Sequence, residues 1–368
     1  MNLSHDVSLM QLLDNAVQGC VPRQEDIIRL LLLEGEERQA LFACARAQRQ
    51  RFFGKAVFLY GFIYLSTYCR NDCAFCQYRQ SNTTIERYRK DRESILAAGR
   101  QLAADGVHLL DLTLGEDPAC LSTEGFAALL DTIRELRETT GLPVMLSPGV
   151  LNDAQLDLLA QAGVDWYACY QETHNQSLFA QLRPGQRYDL RLRARRQAAA
   201  LGVHTEEGVL VGVGSTPEDL ADSVLHMLHE PLGQVRVMTY VPHEVTMPSA
   251  FPTTHEPYAQ ELQLIAIMRL YMPQRLIPAS LDVDGLDGLQ ARLDAGANVV
   301  TSMIPSGYGF AGVVSEHLDI ENHRRGTPAV RAVLEQQGLC AATPTGYRDW
   351  LLHHPPAFDT LAEAGVCG

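Results

Sequence analysis

The sequence predicts an α/β protein, a (β/α)8 TIM-type barrel with a helical extension before it and a tail after it. Three observations carry this. Eight short apolar runs recur along the 368-residue chain, amphipathic segments separate them, and no Ser/Gly-rich linker divides them. Runs of β-formers alternating with helix-period segments are the pattern of βα units that pair into a parallel sheet. Eight of them suit a closed barrel better than an open doubly wound sheet. A hydrophobic content of 46% is enough to fill such a core.

The elements follow in order. Residues 24–53 (QEDIIRLLLLEGEERQALFACARAQRQRFF) space apolar side chains at helical period among many charges, so residues 1–54 are expected to be a helical extension. The barrel, residues 55–305, opens with VFLYGFIYLS (57–66), VHLLDLTL (107–114), PVMLS (143–147) and DWYACY (165–170). GVLVGV (208–213), QVRVMTYV (234–241), RLIPAS (275–280) and NVVTSMI (298–304) complete it. Between them RESILAAGRQLAADG, TEGFAALLDTIRELRETTG and HEPYAQELQLIAIMRLYM read as helices, the first two closed by the Gly that a left-handed C-cap favours. Residues 306–368 form a C-terminal extension, whose last stretch, TPTGYRDWLLHHPPAFDTLAEAGVCG, breaks the pattern and reads as a peripheral tail.

Composition narrows the function. A net charge of −14 argues against a binder of nucleic-acid phosphates and favours a small molecule or protein as partner. The N-terminus lacks a basic segment followed by an apolar run, and no stretch has membrane-spanning length, so a cytoplasmic protein without membrane partners is expected. Of nine cysteines, Cys20, Cys44, Cys120, Cys169, Cys340 and Cys367 show no framework spacing and are expected as free thiols packed as small hydrophobes.

The other three, Cys69, Cys73 and Cys76, form CxxxCxxC just after the first strand, where a barrel carries its functional loops. A disulfide would leave one thiol over, and a structural zinc would need a fourth ligand that does not follow nearby. An iron–sulfur cubane on three thiolates would keep one iron open for chemistry. Other strand ends are polar too: Gly115, Glu116 and Asp117 after the second run, Ser147 after the third, Glu172 after the fourth, and Gly212 and Gly214 in GVGST after the fifth. Such glycines permit close approach of backbone to a nucleoside. Asp111, Arg236, Ser280 and Asp282 interrupt apolar runs and point inward by alternation or strand-end position. An internal Arg236–Asp282 salt bridge is one reading. The other is a binding set for a zwitterion with a second amine, in which Arg grips the carboxylate and Asp the ammonium groups.

CxxxCxxC, with Phe75 just before the third cysteine, resembles the motif of radical S-adenosylmethionine (SAM) enzymes. The resemblance implies a 4Fe–4S cluster on Cys69, Cys73 and Cys76 whose open iron is chelated by SAM. Reductive cleavage of SAM would yield methionine and a 5′-deoxyadenosyl radical that takes hydrogen from the substrate. LGEDP resembles the superfamily's glycine–glutamate motif for the methionine ammonium. Glu172, and Arg191 at the head of RLRARRQAAA, match residues that the hydrogenase-maturase-like branch uses on SAM, the arginine on the methionine carboxylate. By this resemblance Phe75, Gly115, Glu116, Asp117, Ser147, Glu172, Arg191, Gly212 and Gly214 contact SAM.

A closer likeness rests on FIYLSTYCRNDCAFCQYRQSN, LLDLTLGEDP, LSPGV, YQETH, VRVMTYVP, RLIPASLDVDGLDG and LDAGANVVTSMIP, spanning residues 25 to 340. Together these resemble the methylornithine synthase family of pyrrolysine biosynthesis. That implies isomerisation of L-lysine to (3R)-3-methyl-D-ornithine by hydrogen abstraction, Cα–Cβ fragmentation and recombination. Asp111, Arg236, Ser280 and Asp282 would hold the substrate, and a reduced donor of flavodoxin or ferredoxin type would supply electrons. Two other classes stand beside this reading. Another enzyme of the branch, hydrogenase maturase-like or biotin synthase-like, differs in whether lysine alone turns over without net loss of SAM. A non-enzymatic iron–sulfur or redox-sensing protein would not cleave SAM when reduced.

Overall fold

In the computed structural model, which describes residues 7–242, 257–305, 307–310, 312 and 325–356, all eight predicted runs form strands. They are β1 (Ala56–Ser66), β2 (Leu109–Leu114), β3 (Val144–Ser147), β4 (Trp166–Ala168), β5 (His204–Val211), β6 (Gln234–Thr239), β7 (Pro278–Ser280) and β8 (Val299–Met303). Each hydrogen-bonds in parallel to its neighbours in the order β6-β5-β4-β3-β2-β1-β8-β7. The two ends of this order meet at a single parallel bridge, Gln234 to Leu276. There Val235 donates to the Leu276 carbonyl and Leu276 to the Gly233 carbonyl, both at 3.0 Å. The barrel is therefore nearly closed: β6 and β7 are joined at the base, where the chain enters them, and not by a ladder along their length. Helices cover the outside of the sheet, which is why the strands read as continuous apolar runs; all of β1 beyond its first residue is buried.

The helices between the strands are α4 (Arg92–Ala104), α5 (Thr123–Thr140), α6 (Asp153–Gln161), α7 (Gln176–Leu182), α8 (Tyr188–Ala200), α9 (Pro217–His229), α10 (Pro257–Tyr271) and α11 (Leu289–Asp294). Short polar residues fix where they start. Asp91, Ser122, Asn152 and Thr216 accept bonds from the main-chain amides of Ser94, Gly125, Gln155 and Asp219. Gly141 closes α5 in the left-handed conformation, φ 68°, as the sequence requires.

Ahead of the barrel stand α1 (Leu9–Val17), α2 (Gln24–Leu31) and α3 (Gly35–Phe53). Ile27, Leu30, Leu41 and Ala45 are fully buried and join the same hydrophobic core as the strands. The C-terminal segment departs from the peripheral tail expected of it. After α12 (Thr327–Gln336), the short strand β9 (Cys340–Ala341) pairs with Ala56 and Val57 at the base of β1. Helix α13 (Pro344–His353) then turns its aromatic face into the bottom of the barrel. The Tyr347 hydroxyl lies 2.9 Å from that of Tyr60, and Trp350 stacks on Trp166 with ring centres 5.9 Å apart. Aromatic area this large stabilises a protein most when buried, and the open base of a barrel is where it fits.

Among the described residues no helix is long and apolar enough to cross a membrane. Cys44, Cys120, Cys169 and Cys340 are free thiols as expected, but Cys340 is exposed on the short strand β9 and not packed as a small hydrophobe. Cys20 is disulfide-bonded instead. Cys367 lies outside the described residues.

Candidate active site

The C-terminal ends of the strands surround one cavity, and Cys69, Cys73 and Cys76 line it together. Their loop, residues 67–91, is short of secondary structure and is held by arginines. Arg87 reaches into it and donates to the carbonyls of Thr67, Tyr78, Arg79 and Asn82. Arg89 clamps the Asp117 carboxylate at 2.6 and 2.9 Å. Asp117 also accepts from the Ser66 hydroxyl at 2.6 Å and the Ala119 amide at 3.0 Å, and it is fully buried. Its oxygens are spent on fastening the loop, and it stands outside the cavity lining, as do Asp111 and Ser280.

Each of the three sulfurs accepts from a donor. Asn71 N lies 3.5 Å from Cys69 Sγ and Tyr78 N 3.4 Å from Cys76 Sγ. Cys73 Sγ takes Arg183 Nη1 at 3.3 Å and Gln186 Nε2 at 3.1 Å. Burial pushes the Cys69 and Cys76 thiols up, and for Cys76 the neighbouring Cys73 and Cys69 add to it. Such thiols ionise when metal replaces their protons. Among the described residues no three His, Cys, Asp or Glu side chains are arranged about a single ion. Three sulfurs facing one cavity, each with a donor that favours negative charge, fit a cluster in which each thiolate takes its own iron.

Glu116 stands beside the triad. It accepts from Arg70 Nε at 3.0 Å, Val150 N at 3.1 Å and Arg191 Nη2 at 3.2 Å. Burial acts to raise its pKa, but Arg191, the Val150 amide and Arg70 outweigh it and hold the carboxyl below its ordinary value. Two glycines make room here. A Cβ on Gly115 would come within 2.3 Å of the Tyr68 carbonyl and 2.8 Å of Cys69 Cβ. On Gly149, at φ 80°, it would lie 2.3 Å from Glu116 Cγ.

Glu172 has left-handed backbone at φ 70°, rare for a side chain with a Cβ. It is held there by bonds to β5, Glu172 N to Gly208 O at 3.0 Å and Leu210 N to Glu172 O at 2.9 Å, and by Arg183 at 2.8 Å. Arg191 is 4% exposed and adds a 2.8 Å bond to Gln186 Oε1. Phe75 and Ser147 also line the cavity. Gly212 and Gly214 do not: at φ 83° and 91° they turn the chain from β5 into α9.

Deeper in the barrel Arg236 Nε binds Glu206 Oε1 at 2.7 Å and Nη1 binds Thr301 Oγ1 at 3.2 Å. Its Nη2 is buried and has no partner among the described residues. Asp111 Oδ1 accepts from Thr113 and Ser147, each at 3.1 Å, while Oδ2 is equally orphaned. Burial, helped by the charge of Glu206, pushes the Asp111 carboxyl up to about 7 against the opposing pull of Arg236. Asp282 does not pair with Arg236. Its Oδ1 takes Arg325 at 2.8 Å and the Tyr64 hydroxyl at 3.0 Å, and its Oδ2 takes Ser302 at 2.7 Å. Ser280 sits beneath, 3.3 Å from both Ser302 Oγ and Asp282 N.

Residues 63–227 match the Radical SAM superfamily. The 3-methylornithine synthase of Methanosarcina acetivorans is 40% identical over 327 residues, 89% of this chain and 92% of its own. The chain belongs to the 3-methylornithine synthase family of radical SAM enzymes. A crystal structure of methylornithine synthase (PylB) aligns at TM-score 0.86 and 39% identity, covering 92% of this chain and 100% of that one. The FeFe-hydrogenase maturase subunit HydE of Thermotoga maritima is 29% identical over 73% of this chain and 77% of its own. A 3-methylornithine synthase family member uses a 4Fe–4S cluster and SAM, and the donor set around the cavity suits both.

Sequence reasoning missed Glu206, Thr301, Tyr64, Ser302, Arg325, Arg183 and Gln186. The paired acids of HTEEGVLV, polar residues within a buried strand, were the one available signal, and they mark Glu206. Arg325 reaches Asp282 from beyond the last barrel strand, and nothing in its neighbourhood in the sequence announces that contact.

Proposed function

We propose that this chain isomerises L-lysine to (3R)-3-methyl-D-ornithine for pyrrolysine biosynthesis, by Cα–Cβ fragmentation and recombination. The observation that carries the reading is a pair of orphaned buried atoms, Arg236 Nη2 and Asp111 Oδ2, in the barrel that holds the cysteine triad. One is a donor awaiting a carboxylate and the other an acceptor awaiting an ammonium group. Leaving such groups unpaired costs about 1–3 kcal/mol each, more when charged, and a bound amino acid removes that cost.

Cys69, Cys73 and Cys76 hold the cluster. Glu116, Glu172 and Arg191 hold SAM, with Phe75, Gly115 and Ser147 against it. Bound there and reduced, the two supply a 5′-deoxyadenosyl radical able to take hydrogen from the substrate side chain and return it. This chain's own residues position the substrate. Glu206 and Thr301 fix two nitrogens of Arg236, so the fork offers Nη2 at one angle to the substrate carboxylate. At this end Glu206 balances Arg236 and Arg325 balances Asp282, which leaves ionised Asp111 as the counter-charge to a dibasic amino acid. Asp282, which lines the cavity, and Ser280 complete the substrate set. Both pieces of a cut carbon skeleton must stay in place until they rejoin, which a buried apolar wall including Phe62 and Leu114 favours. The electron comes from a reduced protein of flavodoxin or ferredoxin type.

The test is anaerobic reconstitution with iron and sulfide, reduction, and incubation with SAM and L-lysine. A product of unchanged mass that separates from lysine, formed without net loss of SAM, is expected. Cleavage of SAM with lysine left intact would overturn the assignment.

A further inference from the structure

The turn between α7 and α8 sets two side chains on one cysteine. Besides the bonds from Arg183 and Gln186 to Cys73 Sγ, the amide of Ala74 donates to the Leu182 carbonyl at 2.8 Å. Among the described residues Cys69 and Cys76 accept only main-chain amides, at 3.5 and 3.4 Å. Among the described residues Cys73 is the one of the three whose sulfur is hydrogen-bonded by a formal positive charge, and the field of Arg183 reaches Cys76 more weakly. That charge is sheltered: the Arg183 side chain is 8% exposed and its guanidinium lies 4.9 Å from the centre of the Phe75 ring. Water therefore screens it little.

Both donors have a second attachment. Arg183 Nη2 is 2.8 Å from Glu172 Oε1, and Gln186 Oε1 accepts from Arg191 Nη2 at 2.8 Å. Cys73 is thus tied through one turn to Glu172 and Arg191, two of the residues assigned to SAM.

Hydrogen bonds to sulfur and nearby charge help set the potential of an iron–sulfur cluster. Reduction adds one negative charge to the cluster. A cation and an amide donor in contact with a ligating sulfur stabilise that added charge and so raise the potential. We propose that Arg183 and Gln186 are positioning residues that raise the reduction potential of the cluster through Cys73, and that Glu172 moderates Arg183 by drawing on its charge. The inference rests on the reading of Cys69, Cys73 and Cys76 as the cluster site.

The measurement is an anaerobic redox titration of the reconstituted protein without SAM, followed by electron paramagnetic resonance, with iron and sulfide content determined alongside. At a fixed solution potential Arg183→Met is expected to lower the ratio of reduced to oxidised cluster at least tenfold, equivalent to about 59 mV for a one-electron couple. Gln186→Met shifts it the same way by less. Glu172→Gln frees the charge of Arg183 and shifts it the opposite way. A scaffold role for the turn moves all three variants together, along with iron content, and that result would refute the proposal. So would an Arg183→Met protein with full iron and an unchanged potential. If Arg183→Met does not load, Gln186→Met and Glu172→Gln decide by the opposite signs of their shifts. Failure of the unsubstituted protein to load any cluster would instead strike at the cluster site itself.

Discussion

Asp111 is a residue whose position costs stability. Its folded pKa of about 7 lies above the ordinary 3.8, so between those values the native state keeps a proton that the unfolded chain has released. Stability then falls as pH rises through that window, and above it the ionised, orphaned oxygen carries the full penalty. Asp111→Asn removes the charge. The melting temperature of the substrate-free variant should exceed that of the unsubstituted protein at pH 8, with the gap closing by pH 5, while lysine turnover is lost. In the unsubstituted enzyme KM for lysine should rise as pH falls below 7, because a neutral carboxyl no longer pairs with ammonium. Arg236 gives the complementary case. Arg236→Lys keeps the charge and loses the planar fork, so the donors to Glu206, Thr301 and the carboxylate no longer stand on separate nitrogens at fixed angles. Losing a charge-assisted bond costs roughly 1.5–3 kcal/mol, which corresponds to a tenfold to hundredfold drop in methylornithine formed. Cleavage of SAM should persist, and if it falls in step with product and iron content, Arg236 is scaffold only. Asp111 and Arg236 were legible because a charge inside an apolar run demands a reason. Glu116 and Asp117 look alike in sequence, as neighbouring carboxylates in one turn do, until Arg89 is seen to pair with one of them.

At the scale of elements, the loops that leave the strands do the positioning, and their glycines show how tightly. Gly149 follows β3 at φ 80°, and its missing side chain is the space Glu116 occupies. Gly149→Ala adds both a strained backbone and a clash at 2.3 Å, so Glu116 must move off Arg191. The expected outcome is a marked loss of SAM affinity by calorimetry, larger than any loss of iron content, because none of the bonds to the three sulfurs comes from Glu116. Unaltered affinity would mean that Glu116 does not hold SAM. The strands were legible from their apolar runs and the helix starts from their caps. The backbone at Glu172 and Ser302 was not, since both adopt positive φ, 70° and 63°, without being glycine. Tertiary contacts impose those angles: a bridge to β5 for Glu172, and for Ser302 a hydroxyl bond to Asp282. Local sequence carries no mark of either.

For the whole molecule, closure of the barrel decides which end is open for chemistry. Apolar runs report that strands exist and not which edges meet, so the single bridge between Gln234 and Leu276 could not be read in advance. The packing of the C-terminal helix was missed for a related reason: TPTGYRDWLLHHPP follows none of the eight apolar runs and breaks the βα period, yet Tyr347 and Trp350 are nearly inaccessible. Trp350 stacks against Trp166 and His354, with ring centres at 5.9 and 4.6 Å. Trp166 belongs to β4, so the C-terminal helix is fastened to the middle of the sheet. Truncating a buried Trp to Ala costs about 3–5 kcal/mol. Trp350→Ala should therefore lower the melting temperature by several degrees. The cysteine triad lies at the opposite end of the strands, so iron content and lysine turnover per folded molecule should stay as they were at temperatures well below melting. An unchanged melting temperature would return the segment to the status of a peripheral tail. A loss of turnover without a loss of stability would instead mean that the base of the barrel is coupled to the site at its mouth, and that outcome is the one this separation of ends excludes.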